Sequence, residues 1–441
     1  MTDLTKSGPM GLNGLTACEA SAKIEKKEIT SEELVRECLD RIEARDPLVQ
    51  AWDFIDPNYA LEQAKALDGE EVRRGPLHGV PVAIKDIFDT KDMPTGHGFP
   101  PYKGAASNGD STCVSQLRDA GMVILGKSVT TEFACPSPRK TVNPHDFSRT
   151  PGVSSSGSAA AVADFMVPLA NGTQTGGSVI GPAANCGVYG FKASLDGINR
   201  GGLRHCKPSI DTIGLFARSL EDLVLMYSVQ TARRSVEATD TLRIGIVRTS
   251  DWNETEPCMQ KAILEVGKIL GKTGAVVSEV ELPQIFTDII PDFSIVNGWE
   301  ATVALETEIS NHLDSFNPHN RERVEFVSGL TEVDYKNSMK VLSKARLEMD
   351  RLFESFDLFL SPALSGEAPI GLTEVRTATF ARLWTQMYTP SVCVPISEGP
   401  NGLPVCVQMI GSRNSDQQTL ANAKQVDDQL KGALGEVPSR V

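Results

Sequence analysis

The 441-residue chain has no run of roughly 18 consecutive apolar residues, the length a membrane-spanning helix needs. Its most apolar small-residue stretch, 159–170, is broken by Asp164 and Pro168. The opening MTDLTKSGPM lacks a basic region followed by an apolar core, so no secretory signal is expected. The 9 cysteines are an odd number, scattered from Cys18 to Cys406, and no two form a C-x-x-C pair. Zinc ribbons and thioredoxin-type motifs are thereby excluded, and the expectation is reduced thiols in a cytoplasmic protein. The 6 histidines show no H-x-x-x-H spacing, so no metal centre is expected. Positive charge is also short, with 43 Lys plus Arg against 57 Asp plus Glu and a net charge of −14. An acidic surface of that size disfavours a nucleic-acid backbone or an anionic membrane as main partner.

What is present is ordinary for a globular chain: 40% hydrophobic and 23% charged residues. Thr30 with Glu33 forms a capping box ahead of a helical apolar stripe through Leu34, Val35, Cys38, Leu39 and Ile42. Asp56-Pro57 opens a second helix, expected to run toward Arg74. GVPVAIKDIFD (79–89) contains a short buried strand. Residues 110–120 form a helix closed by Gly121, followed by strand 122–125, and Ser219 caps a helix reaching about Thr231. The second half alternates: strand 242–247, helix 257–271, strand 275–282, helix 333–355, strand 358–361, helix 377–388, strands 392–396 and 404–410, and helix 416–430. Strands alternating with helices imply an α/β sheet covered by helices on both faces. No linker rich in proline or serine separates the halves, so one domain over 1–441 is expected. The region 284–332 carries the weakest pattern and is read as a helical excursion near the substrate entrance.

Two motifs point in misleading directions. GMVILGKS (121–128) fits the phosphate-binding loop pattern G-x-x-x-x-G-K-[ST], but its variable residues Met122, Val123, Ile124 and Leu125 favour a strand. A phosphate loop instead needs its backbone N–H groups curled around the ligand. The nucleophile elbow G-x-S-x-G is absent, since GVSSSG surrounds Ser154 and GGSVIG surrounds Ser178. A Ser-His-Asp arrangement without the elbow would draw its base from His78, His97, His145 or His205.

Three segments remain. Lys85 follows Val80, Pro81, Val82, Ala83 and Ile84, a near-continuous apolar run that predicts a strand buried on both faces. A desolvated lysine loses its proton more readily and serves as a base. TPGVSSSGSAAAVA (150–163) has the composition of a flexible linker, yet it leads straight into an alanine-rich helix. GTQTGGSVIGPAANCG (172–187) places Gly176 and Gly177 where backbone N–H groups approach a ligand closely, which suits an oxyanion hole beside Ser178.

Taken in order, GVPVAIKD, GKSVTTEFA, TPGVSSSGSAAAVA, GTQTGGSVIGPAANCGVYGFKAS and the late GLPVCVQMIG resemble the amidase signature family. The resemblance covers about residues 10–430 and is strongest over the signature core, 79–194. It implies a single large α/β domain with a mixed central sheet, and amide hydrolysis by a Ser–cis-Ser–Lys triad without a metal or organic cofactor. By motif, Lys85 is the base, Ser154 the cis serine and Ser178 the nucleophile. Thr175, Gly176, Gly177 and Ser178 then supply the oxyanion donors. Neutral Lys85 draws a proton through Ser154 from Ser178, which attacks the carbonyl; Ser154 returns a proton to the leaving amine, and water releases the acyl group.

The chain departs from the family pattern at two positions. Many relatives have glycine at the place of Val153, a stiffer residue. Many have arginine three residues after the nucleophile, where this chain has Gly181; that loss removes bidentate carboxylate recognition. A neutral amide, carbamate or ester is therefore the expected substrate, bound beside Gly181, with Phe133, Trp384 and Tyr388 as candidate pocket aromatics. Trp384 and Tyr388 are four apart and are expected on one helix face. Specificity is assigned to the variable region 284–390. The expected assembly is a monomer or homodimer acting on small molecules. The competing reading is a glutamine-dependent amidotransferase component that feeds ammonia to a partner. A non-catalytic binding protein is disfavoured because all three triad residues are present.

Overall fold

The computed structural model describes Gly8 and residues 11–137, 140–372 and 379–435. Eleven strands form one sheet: β1 (Trp52–Ile55), β2 (Pro81–Lys85), β3 (Val123–Ser128), β4 (Leu169–Gln174), β5 (Tyr189–Lys192), β6 (Thr212–Ala217), β7 (Arg243–Val247), β8 (Val276–Val280), β9 (Leu358–Pro362), β10 (Ser391–Glu398) and β11 (Pro404–Ile410). Their spatial order is β1-β3-β2-β4-β6-β5-β10-β11-β9-β7-β8. The sheet is mixed: β2 runs parallel to both β3 and β4, and β7 runs parallel to β8 and β9. The central strands β4, β6, β5, β10, β11 and β9 pair antiparallel in succession.

The helices are α1 (Ala17–Glu25), α2 (Ser31–Val49), α3 (Pro57–Asp68), α4 (Thr112–Asp119), α5 (Ser156–Ala163), α6 (Ile180–Cys186), α7 (Leu220–Thr231), α8 (Pro257–Lys272), α9 (Ile285–Asp288), α10 (Ile290–Ala304), α11 (Glu306–His312), α12 (Pro318–Val327), α13 (Glu332–Leu352), α14 (Thr379–Gln386) and α15 (Asp416–Leu434). The Thr30–Glu33 capping box is present at α2, and Pro57 opens α3, which ends at Asp68, short of Arg74. Gly121 turns the chain between α4 and β3 with φ of 80°, a left-handed conformation that glycine adopts without a Cβ clash. Residues 123–128 are strand β3, so the phosphate-loop pattern there is fortuitous. Lys127 is fully buried, 3.3 Å from Asp86. The excursion over 284–332 is helical, as α9 to α12.

The serine-rich segment is a helix packed into the core. All eight residues of α5 are buried, and α5 packs on β2, β4 and β6. Only small residues fit there: a Cβ on Gly157 would lie 2.3 Å from the Ala51 carbonyl oxygen and 2.4 Å from the Val129 nitrogen. Among the described residues no helix is long and apolar enough to cross a membrane.

Candidate active site

β2 and β4 are parallel neighbours, in register at Val82–Leu169 and Ala83–Ala170. Their C-terminal ends therefore lie side by side. Lys85 ends β2, and the loop 175–178 leaves the end of β4. Ligand sites in α/β sheets form at such strand ends.

Lys85 is 0% exposed, and its Nζ lies 2.8 Å from Ser154 Oγ, 3.0 Å from Ser155 Oγ and 2.7 Å from Thr173 Oγ1. Burial pulls its pKa well below the ordinary lysine value; the carboxylate of Asp211 opposes that shift, and the charge of Lys207 adds to it. A neutral amine has two hydrogens and one lone pair to distribute over these three hydroxyls. The Ser155 hydroxyl already donates to the Thr173 carbonyl at 3.1 Å, so it only accepts from Lys85. The lone pair therefore meets the hydroxyl proton of Ser154 or Thr173.

Ser154 lies between the turn at Gly152 and the start of α5. Every described peptide bond is trans, so the cis linkage expected before Ser154 is absent. The chain reverses instead at Gly152, where φ is 107° and a Cβ would lie 2.5 Å from Pro182 Cα. No hydrogen bond joins Ser154 to Ser178 among the described contacts.

The loop carrying Ser178 is held at both ends. The Thr175 hydroxyl donates to the Asp211 carboxylate, which also accepts from the backbone N–H groups of Cys206 at 3.0 Å and Lys207 at 2.8 Å. On the far side, Gln174 Oε1 accepts from Val179 N–H at 2.9 Å and Ile180 N–H at 3.0 Å, and its Nε2 donates to Thr385 at 3.0 Å. Between these anchors, the N–H groups of Gly176, Gly177 and Ser178 have no protein acceptor among the described hydrogen bonds. Three free, fixed donors beside a serine are suited to stabilise a developing oxyanion.

A cavity of about 320 Å³ opens over Ser178. Val153, Thr175, Gly176 and Gly177 line it, together with Ala134, Lys207, Phe293, His319, Arg323 and Arg382. Gly181 does not line this cavity; it is buried in α6. The expected neutral surroundings are not found, because cationic residues from other segments line the wall. The aromatic assignments also change. Phe133 is fully buried in a cluster with Phe99 and Phe316, so its neighbour Ala134 reaches the cavity instead. Trp384 is 0% exposed and packs with Phe359. Tyr388 lies beyond the end of α14 with φ of 62°, and the Arg346 guanidinium stands 3.8 Å from its ring centre. Trp384 and Tyr388 therefore do not share a helix face. The aromatic residue of the cavity is Phe293 on α10, in a stretch whose sequence pattern carries no functional signal.

The histidines weighed as bases are engaged elsewhere. Ring nitrogens of His78, His145 and His205 pair with the carbonyls of Leu67, Cys186 and Arg200. His97 stacks near Phe133. No group of His, Cys, Asp and Glu suited to a metal ion occurs among the described residues.

Comparison with known proteins agrees with this architecture. The family model described as Amidase matches residues 33–420. One subunit of the glutamyl-tRNA(Gln) amidotransferase of Acidothermus cellulolyticus is 33% identical, with 91% of this chain and 92% of that protein covered. Its counterpart from Chloroflexus aggregans is 32% identical over 93% of this chain and 95% of its own length. A crystal structure of an amidase superposes with a TM-score of 0.87 at 27% identity, covering 94% of this chain and 100% of that one. Peptide amidase from Stenotrophomonas maltophilia gives a TM-score of 0.78 at 25% identity, covering 96% of this chain and 98% of its own. The chain belongs to the amidase family.

Proposed function

We propose that the protein cleaves the C–N bond of an amide through an acyl-enzyme on Ser178, with Lys85 as base and Ser154 as proton relay. The observation that carries this reading is a buried lysine, inclined to be neutral, held 2.8 Å from Ser154 beside a loop with three unpaired N–H donors. Ser178 Oγ forms a bond to the substrate carbonyl carbon while its proton passes to Ser154, whose own proton goes to Lys85. The carbonyl oxygen becomes an oxyanion facing the N–H groups of Gly176, Gly177 and Ser178. Collapse of the tetrahedral centre breaks the C–N bond, and Ser154 delivers a proton to the departing amine. Water repeats the sequence on the acyl-enzyme and releases the acid. The same acyl transfer extends to aryl amides, carbamates and esters.

A second reading is favoured by the curated relatives, which are named as amidotransferase subunits; they align over nearly the whole chain. Here the amide is that of glutamine, and the released ammonia passes to a partner. Both readings use the same nucleophile, and one experiment addresses both. The purified chain is treated with a serine-directed fluorophosphonate, then assayed for ammonia from glutamine and for amine from an anilide. Labelling of the wild type that disappears in Ser178→Ala is expected. An unlabelled, folded wild type overturns the mechanism. Glutamine turnover without anilide turnover selects the amidotransferase reading, and the reverse selects the free amidase.

A further inference from the structure

The cavity over Ser178 holds more positive charge than the proposed chemistry uses. Lys207, His319, Arg323 and Arg382 line it, and no carboxylate is among its lining residues. Arg323 comes from α12 and Arg382 from α14, and neither forms an ion pair among the described residues. Arg382 is built into the site. Its Cγ would lie 3.7 Å from a Cβ on Gly176, two residues before Ser178. Its guanidinium stands 5.3 Å from the ring centre of Phe293, and its buried Nε has no hydrogen-bond partner. The ring of Phe293 itself closes on Gly176, with Cζ 3.1 Å from that Cβ position. The aliphatic stem of Arg382 is thus held against the oxyanion loop, and the guanidinium it carries keeps a donor unspent.

The carboxylate that acts on it lies outside the cavity over Ser178. Asp251, in the 3-10 turn Ser250–Glu254, lines the adjoining cavity with Arg248 and Glu281, and Arg382 stands between the two cavities. Burial lowers the Arg382 pKa from the ordinary arginine value, with Asp251 opposing that shift and the neighbouring Arg323 adding to it. Lys207 Nζ lies 3.0 Å from Cys135 Sγ; burial works against its charge, but its neighbours, Asp211 among them, outweigh burial and hold its pKa above the ordinary value. Inside the cavity the positive charges of Arg382 and Arg323 oppose each other with no carboxylate lining the wall, and a bound anion relieves that repulsion.

We propose that Arg382 and Arg323 form a seat for a carboxylate on the acyl portion of the substrate, so that the preferred amide is a short-chain acid monoamide. This rests on Ser178 being the acylated residue, and it draws the two arginines from distant helices, α12 and α14. Both arginines line the same cavity of about 320 Å³ as Ser178, which leaves room for only a few bonds between the scissile carbonyl and the carboxylate.

Two measurements test the seat. The first is independent of catalysis: glutarate raises the thermal midpoint of the wild type, and Arg382→Met or Arg323→Met weakens that shift, because a ligand that binds only the folded state stabilises it. The second compares glutaric mono-p-nitroanilide with its methyl ester. The acid makes a charge-assisted hydrogen bond that the methyl ester cannot, so the wild type should favour the acid by at least about tenfold in kcat/KM. Arg382→Met should reduce the acid-to-ester ratio by a similar factor, and Arg382→Lys should keep part of it. Variants whose unliganded midpoint matches the wild type exclude misfolding as the cause. A wild type with no preference for the acid, or a preference that survives in both methionine variants, overturns the seat. Glutarate binding in a protein whose Ser178 resists fluorophosphonate overturns the acyl-enzyme reading and leaves the seat standing.

Discussion

Lys85 concentrates the chemistry of the site in one ionisation. Its burial disfavours the ammonium form, so on the proposed mechanism the active state is the deprotonated one. kcat/KM should therefore rise with pH along a limb whose midpoint lies below the ordinary lysine value of 10.5. Stability follows the same sign. Between the lowered pKa of Lys85 and 10.5 the unfolded chain binds a proton that the folded chain does not, so this residue's contribution rises with pH across that window. Lys85→Arg keeps a charge at every pH and accepts no proton. It should lose about 10²–10⁴-fold in kcat, the range of general acid–base catalysis, together with the pH limb. A Lys85→Arg enzyme that retains a rising limb with the same midpoint would assign the ionisation to another group. Lys85, Ser154 and Ser178 are legible in the sequence because each sits in a run of unusual local composition. Asp211, Phe293, Arg323 and Arg382 are not, because ordinary residues in ordinary segments come near Ser178 only when the fold brings them to the end of β4.

At the scale of elements, the helix after Ser154 decides whether Lys85 meets its hydroxyl. The far end of α5 is fixed by Asp164, whose carboxylate lies 2.8 Å from Arg41 Nη2 and 2.8 Å from Arg45 Nε, with both side chains on α2. The Asp164 carbonyl adds a bond from Arg41 Nε at 2.7 Å. Arg45 and Asp164 are 0% exposed, so neither charge has solvent to fall back on. Asp164→Ala leaves buried guanidinium charge without its carboxylate and should cost about 3–5 kcal/mol in chemical denaturation. A loss below about 1 kcal/mol would show that α2 and α5 hold together through their apolar contacts alone. The sequence makes α5 legible as a helix after a serine cluster but not as a buried one, because alanine and serine give no amphipathic stripe to read. Strands β1 and β6 are hidden in the sequence for a related reason: each is short, and no tight turn joins it to its partners, β3 for one and β4 and β5 for the other.

For the whole molecule, the central question is whether the sheet behaves as one cooperative body. The first half of the chain supplies β1 to β6 and the second half β7 to β11, joined where β5 pairs with β10. Helix α15 spans that seam: it packs on α7 from the first half, on α8 from the second, and on β10 and β11. Its ties are specific as well as apolar. Asp416 accepts from the Ser194 N–H at 2.7 Å, and the Tyr189 hydroxyl donates to Asp427 at 3.1 Å. Leu420 and Leu430 are buried in the same core cluster as Val82 of β2 and Leu169 of β4. Leu→Ala truncation in a close-packed core costs about 2–5 kcal/mol through lost burial and the cavity left behind. If α15 locks the halves together, Leu420→Ala and Leu430→Ala should each lower one shared unfolding transition, with tryptophan fluorescence and far-ultraviolet circular dichroism moving together. Trp52 sits on β1 at one edge of the sheet, and Trp384 lies on α14 in the second half, so fluorescence samples both sides of the seam. Two separated transitions, only one of them shifted by the truncations, would show that the halves fold independently and meet at β5 and β10 by docking.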